Sequence, residues 1–308
     1  MGFNYWSWLA TDWLLNTVEP SKILTFGRQV IHVHPWDREC PILNAQEHGN
    51  PHQFLNDDPT INNYADESYF PSKKVEALSL DYSDYENADL IADLTTDLSS
   101  DKTLLRHLNT FDIVFDIGTS EHVGNPFQSL LNAFDLVKPG GFYVYDLPYE
   151  NWNNHGFFQF TPTFFSDLTR TNNYDLIFQF AHPTAKGNQP LMFVRDSITY
   201  NAKVYTSLFG VIQKSHSQSR LKPPYQSEQL LSNSFNLSDY STDKNYPLCN
   251  PVKPEGFFDY LNCSTANDLY YLGFDANGNC GSYNIYNPSR TLTKDKQEIQ
   301  SSEVQIFN

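Results

Sequence analysis

Residues 111–147 constrain the fold more than any other stretch of the chain. Phe111–Ile117 reads as a buried strand, and it breaks into the polar cluster Gly118-Thr119-Ser120-Glu121-His122. Leu130, Leu131, Phe134 and Val137 then recur at the 3.6-residue spacing of a helix. Lys138-Pro139-Gly140-Gly141 is a stop signal, since proline cannot continue a helix and glycine terminates one. A second apolar strand, Phe142–Leu147, follows. Strand, helix and strand in this order make a parallel pair with a helical crossover. The polar cluster then lies at the carboxyl end of the first strand, where open α/β sheets bind their ligands.

The rest of the chain extends this unit. Ser21–Phe26, Val75–Leu80 and Ala88–Ala92 read as three earlier strands, ending at Gly27, Asp81 and Asp93. A helix is expected over about 162–172, with Thr161 as its cap and Pro162 in its first turn. Asp175–Ala181 and Tyr205–Gln213 read as a final strand pair. Trp6, Leu9, Ala10, Trp13 and Leu14 predict an amphipathic helix within 1–20 that packs on the domain. Residues 30–74, rich in Asn, Asp, His and Pro, are expected to hold part of a helix and a long loop. The expected fold is therefore α/β: a Rossmann-like, seven-stranded, mostly parallel sheet with helices on both faces. It occupies residues 1–225, and 226–308 form an irregular, loop-rich C-terminal extension.

Charge narrows the partners. The chain has 36 acidic and 20 basic residues in 308, a net charge of −16. Such a field repels phosphate backbones, so no nucleic-acid partner is expected. No apolar run is long enough to span a bilayer, and no basic residue precedes Lys22, so neither a membrane span nor a secretory leader is expected. Cys40, Cys249, Cys263 and Cys280 show no metal-binding spacing and read as reduced thiols. The cytoplasm is the expected compartment.

Read one by one, the carboxyl ends of the strands suggest a nucleoside site. Gly27, followed by Arg28 and Gln29, allows close approach of a ligand to the backbone. Asp81, next to Tyr82, can accept both hydroxyls of a ribose. Asp93 can accept from an exocyclic amine while the Leu94 N–H donates to a ring nitrogen. Asp116, Gly118 and Thr119 complete the candidate set. Only one glycine follows the first strand, so the pyrophosphate-binding turn of a dinucleotide enzyme is missing, which disfavours NAD.

A strand reading F-D-hydrophobic-V, a terminal Glu121-His122-Val123, a helix, and Lys138-Pro139-Gly140-Gly141 before the next strand resemble the second half of a class I S-adenosylmethionine-dependent methyltransferase. Residues 23–29, 79–89 and 155–162 resemble an uncharacterised subgroup with L-x-x-G-R-Q in place of the glycine-rich first motif. The resemblance covers about residues 20–225. It implies S-adenosylmethionine as cofactor and a small-molecule or glycan acceptor.

The chemistry of such an enzyme needs alignment and, for a hydroxyl acceptor, a base. His122 is the expected base, with Glu121 beside it, and His155 is a second candidate shortly after the fifth strand. Arg28 is expected to meet the cofactor's carboxylate with its guanidinium fork. Some methyltransferases carry an E-x-x-E-H cluster and a later His that hold a metal. Here Gly118 stands in the place of the first acid, so no metal is expected. His32 and His34 are expected to be packing or surface residues. Two other readings stay open: a non-catalytic methyltransferase-like binding domain, and a nucleotide-sugar or NAD enzyme of the same fold.

Overall fold

The computed structural model describes residues 2–32, 63–183, 205–214 and 220–225, together with the backbone of strands at 191–193, 270–274, 280–284, 290–293 and 298–300. His34, Cys40, Cys249, Cys263 and most of the 33–62 and 226–308 segments lie outside the described residues.

Seven strands among the described residues build the expected sheet. They are β1 (Lys22–Phe26), β2 (Glu76–Asp81), β3 (Leu90–Ile91), β4 (Phe111–Ile117), β5 (Val137–Glu150), β6 (Asp175–Pro183) and β7 (Thr206–Gln213). Their spatial order is β3-β2-β1-β4-β5-β7-β6. Every pair from β3 to β5 is parallel, and β7 runs antiparallel to both β5 and β6. The fold is thus a Rossmann-like, mostly parallel sheet. Strands Leu191–Phe193, Tyr270–Phe274, Cys280–Asn284, Arg290–Thr293 and Glu298–Gln300 add antiparallel neighbours beyond β6.

Period-two alternation in β4 and β5 divides two cores. Ile113, Phe115, Ile117, Phe142 and Val144 face the layer that holds helix α1 (Tyr5–Val18). Val114, Tyr143, Tyr145 and Leu147 face α2 (Pro126–Leu136) and α3 (Pro162–Asn172). The three helices start where their sequences signal it. Asn4 accepts from the Trp6 and Ser7 N–H groups and Ser7 returns the bond, a capping box. Asn125 and Thr161 stand at the caps of α2 and α3, each with Pro in the first turn. Helix α1 is buried more completely than an amphipathic stripe predicts. Trp8, Leu9, Trp13, Leu14 and Leu15 are all buried, because the Tyr69–Phe70 turn covers its other side and the Tyr69 hydroxyl donates to Asp12.

One boundary differs from the sequence expectation. β5 begins at Val137, not Phe142, and Lys138–Gly141 form a bulge inside the strand, with the register shifting between Phe111 and Ile113 of β4. Gly140 has φ 81° there, and a Cβ on Gly141 would meet the Asp112 carbonyl at 2.7 Å. The glycines are needed to bend the strand rather than to end the helix.

Candidate functional site

The strand order reverses between β1 and β4, so a crevice opens at their carboxyl ends. Gly27 and Gly118 close these ends, with φ 67° and 71°, conformations in which a side chain would be strained. The two ends are tied together. Thr119 Oγ1 donates to the Phe26 carbonyl at 2.8 Å, and the Gly118 N–H donates to the Asp146 carbonyl. The buried Gln29 amide donates to the Phe26 carbonyl at 2.8 Å and to those of Gly27 and Ile117 at 3.3 Å. Gln29 therefore braces the crevice floor from below.

Asp81 and Asp93 lie on the same edge. Asp81 Oδ1 accepts the Tyr82 N–H, and the Ala92 N–H donates to the Asp81 carbonyl, which holds β3 in place. Asp93 Oδ1 accepts from the N–H and hydroxyl of Thr95. Tyr82 is exposed, and Leu94 is buried with its carbonyl on Asn132.

Two of the expected ligand residues are engaged within the protein itself. Arg28 turns away from the crevice: its guanidinium meets Asp66, Glu67 and the Glu86 carbonyl and lies 4.0 Å over the Tyr64 ring. Burial lowers its pKa, but the hydrogen bonds and charges of Asp66 and Glu67 outweigh that and raise it. Asp116 is fully buried on the α2 side, where period-two alternation places it. It accepts from the Ser120 N–H and hydroxyl and from the Tyr143 hydroxyl at 2.8 Å. These bonds fix the turn that follows β4.

That turn, Ser120–His122, carries the reactive groups. The Glu121 carbonyl accepts the N–H groups of Phe157 at 2.7 Å and Phe158 at 3.3 Å, so the loop after β5 is held against it by main chain. Gly156, φ 68°, makes this approach possible, because a Cβ there would sit 2.9 Å from Glu121 Cγ and from its carbonyl oxygen. His155 is brought over Glu121 as a result. The Nε2 atoms of His122 and His155 stand 3.7 and 3.8 Å from Glu121 Oε1, and their rings meet edge to face at 4.9 Å. The three candidates for catalysis, the third 33 residues beyond His122 in sequence, form one cluster.

The electrostatics of the cluster are unusual. Glu121 is fully buried, and neither carboxylate oxygen has a hydrogen-bond partner among the described residues. Burial, reinforced by the charges of Asp116 and Asp146, pushes its pKa up to about 8. Burial and the neighbouring His155 lower that of His122. Both imidazoles are half-exposed, so a solute in the crevice can reach them.

Other groups surround the cluster. Asp146, on β5 opposite the end of β4, binds buried His182 at 2.9 Å and the Asn4 side chain at 3.3 Å, which seats the start of α1 beside the crevice. Its position in Tyr145-Asp146-Leu147, at the end of the strand legible in sequence, was the available signal. Trp152 lies 4.7 Å from the His155 ring and 5.1 Å from that of Tyr205, and Phe157 and Phe158 stand exposed beside them.

No family model matches the chain, and neither does any curated protein. Solved structures do resemble it. A 1,6-didemethyltoxoflavin-N1-methyltransferase from Burkholderia thailandensis, bound to 1,6-didemethyltoxoflavin and S-adenosylhomocysteine, is 11% identical over 67% of this chain and 77% of its own, with a TM-score of 0.35. A methyltransferase-like protein from Bacillus halodurans C-125 is 10% identical over 67% of this chain and 98% of its own, TM-score 0.36. The partner of the Haloferax volcanii Trm112 methyltransferase activator is 11% identical over 70% and 97%, TM-score 0.38.

Proposed function

We propose that the protein is an S-adenosylmethionine-dependent methyltransferase that methylates an oxygen of a small molecule or glycan. One observation carries the reading. Asp81, Asp93, two positive-φ glycines and a cluster of one carboxylate and two imidazoles all meet the carboxyl edge of one sheet, at its switch point. The residues fit such a cofactor. Gly27 and Gly118-Thr119 leave backbone open to a nucleoside, Asp81 suits its ribose hydroxyls, and Asp93 with Leu94 suits its base. When bound, S-adenosylmethionine supplies an electrophilic methyl group on a sulfonium.

The chain's own residues do the rest. A hydroxyl acceptor would have to give up its proton on methylation. Glu121, His122 and His155 are placed to hold that hydroxyl and take charge of its proton. Trp152, Tyr205, Phe157 and Phe158 offer stacking surfaces for a sugar or aromatic ring.

Calorimetry with S-adenosylhomocysteine, NAD and UDP-sugars tests the cofactor. Only the first should bind, and Asp81→Ala should weaken it by about 1–3 kcal/mol, since ligand hydroxyls lose their acceptor. Equal affinity in variant and parent would reject the placement. A non-catalytic binding domain is the second reading, favoured by the single glycine after β1 and by Arg28 facing away. Binding of S-adenosylhomocysteine, with no labelled product from any extract fed labelled S-adenosylmethionine, would select it.

A further inference from the structure

We propose that Glu121, His122 and His155 form a binding site for a divalent transition-metal ion. Their ligand atoms, one carboxylate oxygen and two imidazole nitrogens, all lie within 4.8 Å of one another. Glu121 is the decisive member. A carboxylate removed from water without a hydrogen bond is strongly destabilised, and buried acids in folded proteins are paired or bind metal. Glu121 has neither carboxylate oxygen hydrogen-bonded among the described residues, and the Nε2 atoms of two imidazoles, which can act as ligands when unprotonated, stand 3.7 and 3.8 Å from its Oε1. Asp116 and Asp146 are neighbouring acids, an environment that favours a bound cation.

The geometry requires little change. Ligands bound at about 2.1 Å in a tetrahedral or octahedral shell are roughly 3.0–3.4 Å apart. The Glu121–imidazole separations are 3.7 and 3.8 Å. Both histidines are half-exposed and can close the gap by turning their rings, while Glu121 is fixed by its surroundings. Two imidazoles and a carboxylate suit zinc, cobalt, manganese or iron, whereas magnesium and calcium prefer oxygen. Gly118, which lacks the acid expected of a longer cluster, does not prevent this, because three protein ligands leave positions open for a solute. This deepens the reading above and rests on it only for the ion's use: a coordinated acceptor hydroxyl would be acidified by the ion.

The test is titration of the chelator-treated full chain with cobalt(II) alone, followed by calorimetry and by visible ligand-field absorption. One equivalent should bind, with bands of nitrogen and oxygen ligation, and excess magnesium should not displace it. His122→Ala and His155→Ala should each weaken binding at least about tenfold, and the double variant should abolish the bands. Glu121→Gln should do the same. Should that variant fail to fold, the half-exposed histidines still decide the matter. No stoichiometric binding by folded parent protein, or unchanged binding in the double histidine variant, would overturn the proposal. S-adenosylhomocysteine is titrated separately into the metal-free chain. Binding there without cobalt binding would sink the metal site alone, and cobalt binding without it would sink the methyltransferase reading alone.

Discussion

The two ends of β4 treat a buried acid in opposite ways. At the entry, Asp112 accepts from the Ser21 N–H and hydroxyl and the Lys22 N–H at 2.8–3.0 Å, and Lys138 pairs with it. Burial pushes its pKa up, but the bonds from Lys138, Lys22 and Ser21 together bring it below the ordinary value. Past the exit, Glu121 has no such partner among the described residues, and its pKa is raised. Buried Lys214 repeats the first pattern at the end of β7. Its ammonium donates to Asn109 Oδ1 and to the Phe134 and Val137 carbonyls at 2.6–2.8 Å, so it closes the C-terminus of α2. The amino edge of the sheet satisfies its charges, and the carboxyl edge leaves one waiting. Structure accounts for the first arrangement, and ligand chemistry for the second.

The largest expected effect breaks the comparison at Glu121. Glu121→Gln should lower methyl transfer by roughly 10²–10⁴ while the urea midpoint stays the same or rises, since an unpaired carboxyl is exchanged for a neutral isostere. A labelled-methyl assay beside denaturation reads both, and a clear loss of stability would make Glu121 a structural residue. Asp112→Ala should show the reverse. It should lower stability by about 3 kcal/mol, because Lys138 and two N–H groups lose their acceptor, and leave S-adenosylhomocysteine affinity unchanged. Urea denaturation that finds less than about 0.5 kcal/mol would remove the contrast.

Much of this was legible in the sequence, for physical reasons. Strands β4 and β5 and helix α2 announce themselves by period, and Glu121-His122 follows from the strand's end. The core contacts of Asp116 were not legible because a strand-end acid faces either a ligand or the core, and the Tyr143 that bonds it lies on the next strand. The partners of Arg28 were not legible because Tyr64, Asp66 and Glu67 reach it across a long connection. The joining of His155 to Glu121 depends on two main-chain hydrogen bonds and one glycine, which leave no side-chain pattern. Lys214 shows nothing in sequence, since its partners are carbonyls.

Gly156 sharpens the comparison at smaller cost. Gly156→Ala places a side chain at φ 68° and against Glu121, which should cost about 1–2 kcal/mol and separate His155 from the cluster. Activity should fall more than stability, and thermal melts beside the labelled-methyl assay would show the ratio.

The last effect is in pH and is confined to an alkaline window. Burial lowers the folded-state pKa of Lys214 to about 8 from 10.5, with Asp135 opposing. Between these values the unfolded chain binds a proton that the folded chain has released, so stability should rise with pH across that window. Relative to Lys214→Met, the gain should be on the order of 1–3 kcal/mol, read from urea midpoints at pH 7.5 and about 10. A flat difference would mean the three carbonyl-type acceptors keep the ammonium charged throughout.

The attachment of the 153–158 loop has a consequence for how such a chain can change over generations. Its anchor is the Glu121 carbonyl, gripped by the N–H groups of Phe157 and Phe158, and backbone atoms are common to every residue except proline. Phe157 and Phe158 can therefore be exchanged without unseating His155, whereas Asn151 and Asn154 sit at φ 64° and 65°, which few side chains adopt without strain. Gly156 is held to one identity by its approach to Glu121. A crevice built this way can be handed new acceptors by drift in its rim while the reactive cluster beneath keeps its place.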